Sequence, residues 1–118
     1  MKYNDVYIVD GSRTPFLKAK GTPGKFKALD LAIQAARPLL IRNGIGDSDI
    51  DELVVGCMNP NADECNIAKL LALRLGLNVN IPAHTVQRNC ASGLQAIDSA
   101  YKNIASGTSD LVLAGGTE

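Results

Sequence analysis

The sequence predicts an α/β domain, a parallel sheet with helices on both faces. Val6-Tyr7-Ile8-Val9, Leu53-Val54-Val55-Gly56-Cys57 and Leu111-Val112-Leu113-Ala114 are nearly unbroken apolar runs, as strands buried on both faces require. Segments of helical period lie between them, so strands and helices alternate and right-handed crossovers are expected. A third observation gives the sheet a functional edge. Val86-Gln87-Arg88-Asn89-Cys90-Ala91-Ser92-Gly93-Leu94-Gln95-Ala96 reads as a strand end, an abrupt turn carrying a cysteine, and the opening of a long helix.

In chain order, Asp10-Gly11-Ser12 ends the first strand, and residues 13–26 form a loop punctuated by Pro15, Gly21, Pro23 and Gly24. Lys18, Lys20 and Lys25 make it positive, a solvated surface loop whose lysines are also able to meet a phosphate or a neighbouring subunit. Gly21-Thr22-Pro23-Gly24-Lys25 is no phosphate loop, because the spacing is wrong and Phe26 stands where a Ser or Thr is needed. Residues 27–43 are helical, with Leu29, Ile33, Ala36 and Leu40 on one face and Gly44 as the stop. Pro38 removes an N–H and predicts a kink or break near Arg37. A short helix is expected to open at Asp47 or Ser48, and Leu53 to Cys57 form the second strand.

Residues 58–65 read as a polar loop and 66–75 as a helix burying Ile67, Leu70, Leu71 and Leu75, stopped by Gly76. A turn over 78–82 leads to the third strand, 83–89, with Asn89 as the helix N-cap residue. The next helix, 91–106, is expected to bury Leu94, Ile97, Tyr101 and Ile104, with Asp98 and Lys102 paired on its exposed side. After the fourth strand, Gly115 and Gly116 allow a close approach at its carboxyl end, the edge where open α/β sheets bind ligands.

Bulk properties narrow the function. A chain of 118 residues with 46% hydrophobic content and a mean hydropathy of +0.03 suits one domain. Twelve basic against twelve acidic residues and no basic stripe leave nucleic-acid binding without an electrostatic footprint. No apolar run approaches the roughly 20 residues of a membrane span. The N-terminus enters a strand with no signal-peptide core, which makes the cytoplasm the default compartment. Cys57, Cys65 and Cys90 form an odd set without C-x-x-C spacing, against a disulfide framework or a zinc site, so no metal is expected.

Cys90 is the candidate nucleophile. At a helix N-terminus the unpaired N–H groups and the macrodipole favour thiolate over thiol, and thiolate is the reactive form. The same N–H groups can receive a carbonyl oxygen as it gains charge. Ala91, Ser92 and Gly93 keep the backbone around the sulfur open. The bland alternative is a packed apolar cysteine, the role expected of Cys57. Cys65, in a loop, is an incidental exposed thiol. His84, the sole histidine, stands six residues before Cys90 on a strand, about 20 Å away if extended, and reads as structural.

Asn89-Cys90-Ala91-Ser92-Gly93-Leu94-Gln95-Ala96 resembles the nucleophile motif of the thiolases. Arg13-Thr14-Pro15-Phe16, Pro82-Ala83-His84-Thr85-Val86 and Ala114-Gly115-Gly116-Thr117-Glu118 are similar to further signatures of that family, in family order, the last running Ala-Gly-Gly-Met-Glu in the family. The resemblance implies residues 1–118 as a thiolase-like N-terminal half domain with strand order 3-2-1-4, stopping before the fifth strand. It implies acyl transfer through an acyl-Cys90 thioester, with the Cys90 backbone N–H as oxyanion donor and coenzyme A as substrate or product rather than bound cofactor. It also implies a homodimer or tetramer through strand 83–89. The family's activating histidine and second cysteine have no counterpart here, so the isolated chain is expected to be inactive. Neither Cys57 nor Cys65 is recruited in their place.

Arg13 to Phe16, Asn66 to Lys69 and Pro82 to Val86 lean toward the branch acting on longer acyl chains in fatty-acid β-oxidation. Two departures stand out. Gln87 replaces a common Asn three residues before the cysteine, and Lys69 replaces an Arg, keeping the charge and losing the fork. Two alternatives remain at this stage: a related condensing enzyme of the ketoacyl synthase or hydroxymethylglutaryl-CoA synthase type, and a non-catalytic dimerisation fragment.

Overall fold

The computed structural model describes residues 2–118 and centres on β1 (Glu52–Gly56), every residue of which is buried. Its run Leu53-Val54-Val55 has β-branched or bulky side chains for both faces, and both faces are covered. β2 (Ala83–Val86) pairs parallel on one side, placing Leu53 opposite Ala83. β3 (Val112–Gly116) pairs parallel on the other, placing Leu53 opposite Leu113. Leu53 and Val55 face α1 (Ala28–Arg42) and α2 (Ile67–Arg74), in a core with Leu29, Leu40, Ile67 and Leu71. Val54, alternating to the opposite face, lies on the side where α3 (Ser92–Ala105) packs.

Helix ends follow local chemistry. The Asn66 side chain accepts the Lys69 N–H at 3.2 Å and caps α2. Gly76 and Gly107, at φ 76 and 80, carry the left-handed turns that follow α2 and α3. Lys69 compensates for the missing fork. Its ammonium donates to the Val79 and Ile81 carbonyls at 2.7 and 2.9 Å and ties down the turn that precedes β2.

The sheet order is β2-β1-β3, three strands where four were expected. In the numbering of the sequence reading this is 3-2-4, because residues 6–9 join no strand and Tyr7, Ile8 and Val9 are exposed. β1 hydrogen-bonds directly to β3 and so uses the ladder positions a first strand would need. The segment is tethered at both ends instead. Asn4 N–H donates to the Ala105 carbonyl at 2.9 Å, at the end of α3. Asp10 receives Arg42 Nε and Nη2 at 2.8 and 3.0 Å and Asn43 Nδ2 at 2.7 Å, at the end of α1. The Arg42 guanidinium, helped by Asn43, holds the Asp10 carboxyl well below the usual carboxylate range.

Further expectations change. α1 passes through Pro38 without a break, because Gln34, whose carbonyl loses its partner, is exposed and can bond to water. The 47–49 stretch is a turn, not a helix. The third strand ends at Val86, leaving residues 87–89 to the turn before α3. α3 reverses its expected face: Ser92, Ala96, Ala100 and Ala105 are buried, whereas Leu94, Ile97 and Tyr101 are exposed and Ile104 is half-buried. Small side chains are what a helix needs to lie close against the glycine-bearing ends of β1 and β3.

Asp51 ties the start of β1 to the start of β3. Its Oδ2 accepts the Asp110 and Leu111 N–H groups at 2.8 and 2.9 Å, and its own N–H donates to the Leu111 carbonyl at 2.9 Å. Those donors, Leu111 first, pull the Asp51 carboxyl below its ordinary value of 3.8. Its stabilisation is therefore complete above the unfolded-state value and lost as pH falls through the lower folded one. Asp51→Asn should lower the thermal midpoint by a few degrees at neutral pH, and the gap to wild type should close below about pH 4, as read by calorimetry across pH.

Candidate active site

The turn between β2 and α3 is built by three devices. Asn89 sits at φ 49, a left-handed conformation that asparagine tolerates better than most side chains. Arg88 and Asn89 carbonyls accept the Ala91 and Ser92 N–H groups at 3.0 and 3.1 Å. Ser92, buried, accepts the Arg88 N–H at 2.8 Å through Oγ and donates from it to the Asn89 carbonyl at 2.7 Å. The chain thereby reverses within four residues and leaves Cys90 exposed at the apex.

This corrects the expected cap. The N-cap residue is Ala91, without a side-chain cap, so Asn89 bends the backbone rather than capping, and Cys90 precedes the cap by one residue. The Cys90 N–H makes no hydrogen bond of ordinary geometry among the described residues. Sequence reading took Ser92 only as a small residue. Its hydroxyl at the start of a helix, four residues after a strand-end arginine, was the available signal for a brace.

Glycines place this apex at the carboxyl edge of the sheet. A Cβ on Gly56, the last residue of β1, would collide with the Ser92 carbonyl. A Cβ on Gly116, the last residue of β3, would come within 2.9 Å of Gly93 Cα. The backbone of α3 therefore rests directly on two strand ends, which is possible only with glycine there.

A cavity of about 700 Å³ opens beside Cys90. Its walls include Arg13 and Phe16 from the 13–26 loop, Leu31 from α1, Met58 after β1, and Thr117 and Glu118 after β3. The loop's Arg13-Thr14-Pro15-Phe16 stretch, similar to a family signature, reaches this wall, a placement that its sequence did not show. Arg13 Nη1 donates to the Thr14 carbonyl at 3.1 Å, and its guanidinium lies 5.3 Å from the centre of the Phe16 ring. Lys18, Lys20 and Lys25 are exposed and do not line this cavity.

The other thiols separate cleanly from Cys90. Cys57 is 1% exposed, and burial pushes its thiol upward. Cys65 is exposed and its Sγ lies 3.1 Å from the Ala62 carbonyl, outside the cavity. His84 is not brought to Cys90. Its Nδ1 lies 3.4 Å from Glu52 Oε1 at the start of β1, the opposite end of the sheet. Among the described residues no group of His, Cys, Asp and Glu is arranged to hold a metal ion.

Residues 6–118 match the family model described as "Thiolase, N-terminal domain". Over 116 residues the chain is 40% identical to the β-ketoadipyl-CoA thiolase of Pseudomonas knackmussii, covering 97% of this chain and 29% of that protein. It is 39% identical to the 3-ketoacyl-CoA thiolase of Bacillus subtilis, covering 97% of this chain and 30% of that protein. The chain thus spans about three tenths of the length of these curated relatives. The crystal structure of the Bacillus anthracis acetyl-CoA acetyltransferase superposes with a TM-score of 0.73 at 35% identity, over 78% of this chain and 23% of that one. Human mitochondrial 3-ketoacyl-CoA thiolase does so with 0.71 at 28% identity, over 76% and 23%. With the nucleophile motif on its turn, the α/β sheet beneath it and a family match from Val6 to Glu118, the chain belongs to the thiolase family.

Proposed function

We propose that this chain supplies the nucleophile of a thiolase, an acyl-CoA acyltransferase. The observation that carries the reading is the braced turn, which holds an exposed thiol and a free backbone N–H on one cavity wall. In the degradative direction Cys90 Sγ attacks the 3-oxo carbon of a 3-oxoacyl-CoA. The carbonyl oxygen takes up charge beside the Cys90 N–H, and the Cα–Cβ bond then breaks. The electron pair of that bond passes to the acetyl-CoA fragment, which is protonated and leaves, while the acyl group stays on sulfur. The thiolate of free CoA then attacks the thioester and regenerates Cys90. Coenzyme A is substrate and product here, and no resident cofactor is invoked.

The fatty-acid β-oxidation branch is our reading of the acyl group, on the resemblance carried by Arg13-Thr14-Pro15-Phe16 and Asn66-Ile67-Ala68-Lys69. Similarity to β-ketoadipyl-CoA thiolases makes β-ketoadipyl-CoA the competing substrate to assay. Three unpaired cysteines suit a reducing, cytoplasmic setting. β2 is an edge strand, paired with β1 on one side only, which supports pairing of Ala83–Val86 across a two-fold axis in a homodimer or a tetramer built from it.

Proton transfer must come from outside the cavity walls, since His84 is held at the far end of the sheet. Incubation of the chain with acetyl-CoA should transfer an acetyl group to Cys90, seen by peptide mass, with none on Cys90→Ser. Steady-state thiolysis of acetoacetyl-CoA by the 118 residues alone should be undetectable. Absence of the acyl-Cys90 adduct contradicts the nucleophile reading, and robust turnover by the isolated chain contradicts the need for a proton-transfer group from outside.

Two substitutions test the turn itself. Ser92→Ala leaves the Arg88 N–H unpaired, while the Asn89 carbonyl keeps the backbone N–H of residue 92, and should cost on the order of 1–3 kcal/mol of stability. Gly56→Ala forces the apex to move and should slow acylation of Cys90 by about 100-fold, the scale of a misplacement near 1 Å. Denaturant titration and adduct kinetics read the two effects. For the assembly, sedimentation equilibrium should give a dimer that Thr85→Pro abolishes, since proline on the free edge removes a ladder donor. A purely monomeric wild type at high concentration removes the strand-pairing interface.

A further inference from the structure

We propose that Glu118 is a positioning residue that sets the wall of the Cys90 cavity, with Thr117 as its partner; its catalytic purpose rests on Cys90 being the acyl-carrying nucleophile. The two carboxylate oxygens of Glu118 accept from consecutive backbone N–H groups after β1, Oε2 from Met58 at 3.0 Å and Oε1 from Asn59 at 3.0 Å. Both bonds are charge-assisted, and both hold a segment that has left the sheet and has no ladder of its own. Thr117 adds two bonds on the preceding residue. Its N–H donates to the Gly56 carbonyl at 3.0 Å, and its hydroxyl donates to the carbonyl of Ala28, the first residue of α1, at 2.6 Å.

This dipeptide thus joins the end of β3 to the end of β1, to the 58–59 segment and to the start of α1. Met58, Thr117 and Glu118 line the same cavity as Cys90, so the bonds fix how far one wall stands from the sulfur. A methionine is an adaptable wall side chain, and without a tethered backbone its position would be poorly defined. The hydroxyl of Thr117 supplies the link to α1, which a purely apolar residue at that position would lack. Neither residue hydrogen-bonds to the sulfur. Their effect is on the size of the group that the thiol accepts.

The test measures size discrimination at Cys90 in the 118-residue chain. Second-order rates with N-ethylmaleimide and N-(1-pyrenyl)maleimide are read by peptide mass at Cys90, and their ratio is compared between variants. Glu118→Ala should bring the ratio at least about threefold closer to unity, on the scale of a lost hydrogen bond or two. Glu118→Gln keeps one acceptor oxygen and should fall between Glu118→Ala and wild type. Thr117→Val, isosteric but unable to bond Ala28, should shift the ratio in the same direction. An unchanged ratio in Glu118→Ala overturns the proposal, as does an equal change in both rates, which is what general loosening of the fold would produce. Should Glu118→Ala not fold, the Glu118→Gln and Thr117→Val ratios decide alone, and wild-type values in both overturn it. A shifted ratio together with failure of acetyl-CoA to label Cys90 upholds the wall and refutes the acyl-transfer reading. Labelling with an unchanged ratio does the reverse.

Discussion

The contact between backbone and backbone at Gly56, Gly93 and Gly116 is the constraint on which the site depends. A helix normally packs on a sheet through side chains at about 10 Å, which would set the start of α3 back from the strand ends. Here a Cβ on either strand-terminal glycine would overlap Ser92 or Gly93, so the first turn of α3 sits on the strands themselves. That closeness selects the rest of the helix surface. Ala96 and Ala100 follow inward at four-residue spacing, and the larger Leu94, Ile97 and Tyr101 are turned away from the sheet.

Close seating also makes the turn tight. From Val86, which still accepts a ladder bond from Cys57 N–H, the chain has only a few residues in which to reverse into α3. A left-handed Asn89 provides the reversal and Ser92 Oγ closes it, satisfying the Arg88 N–H that the reversal would leave unpaired and adding a second donor to the Asn89 carbonyl. Cys90 is the residue for which this geometry leaves no inward direction. Its exposure is thus a result of packing beneath it, and so is the freedom of its N–H. Cys57, the residue that follows β1, is buried and shielded.

Much of this was legible before any coordinates. The β1 run, the helix stop at Gly76 and the cysteine at a strand-to-helix turn are local features, decided within a few residues, and each is found in place. What was misread depends on distant partners. Val6 to Val9 has the composition of a central strand, but whether it enters the sheet depends on β1 and β3, which pair with each other. The face of α3 was assigned by size, large apolar residues inward, and the glycines on two other strands reversed it. The hydroxyl of Ser92 and the carboxylate of Glu118 act through backbone groups, N–H and C=O, that no side-chain pattern displays.

The division of chemistry follows from the same geometry. A nucleophile and an oxyanion donor can both be supplied by one backbone turn, because sulfur and N–H belong to the same residue and their relation is fixed by a few dihedral angles. A proton-transfer group has no such economy. It must be a titratable side chain brought within about 3 Å of the reacting atoms, and the turn, crowded beneath by glycine contacts, leaves room for one only from the open side of the cavity. The cavity walls include Arg13, Phe16, Leu31, Met58, Thr117 and Glu118, and the single acidic residue of the lining has both oxygens committed to backbone N–H groups. A carboxylate so engaged holds the wall. On the proposed reading, the turn supplies what backbone geometry is able to supply, and the group that moves a proton comes from residues other than these walls.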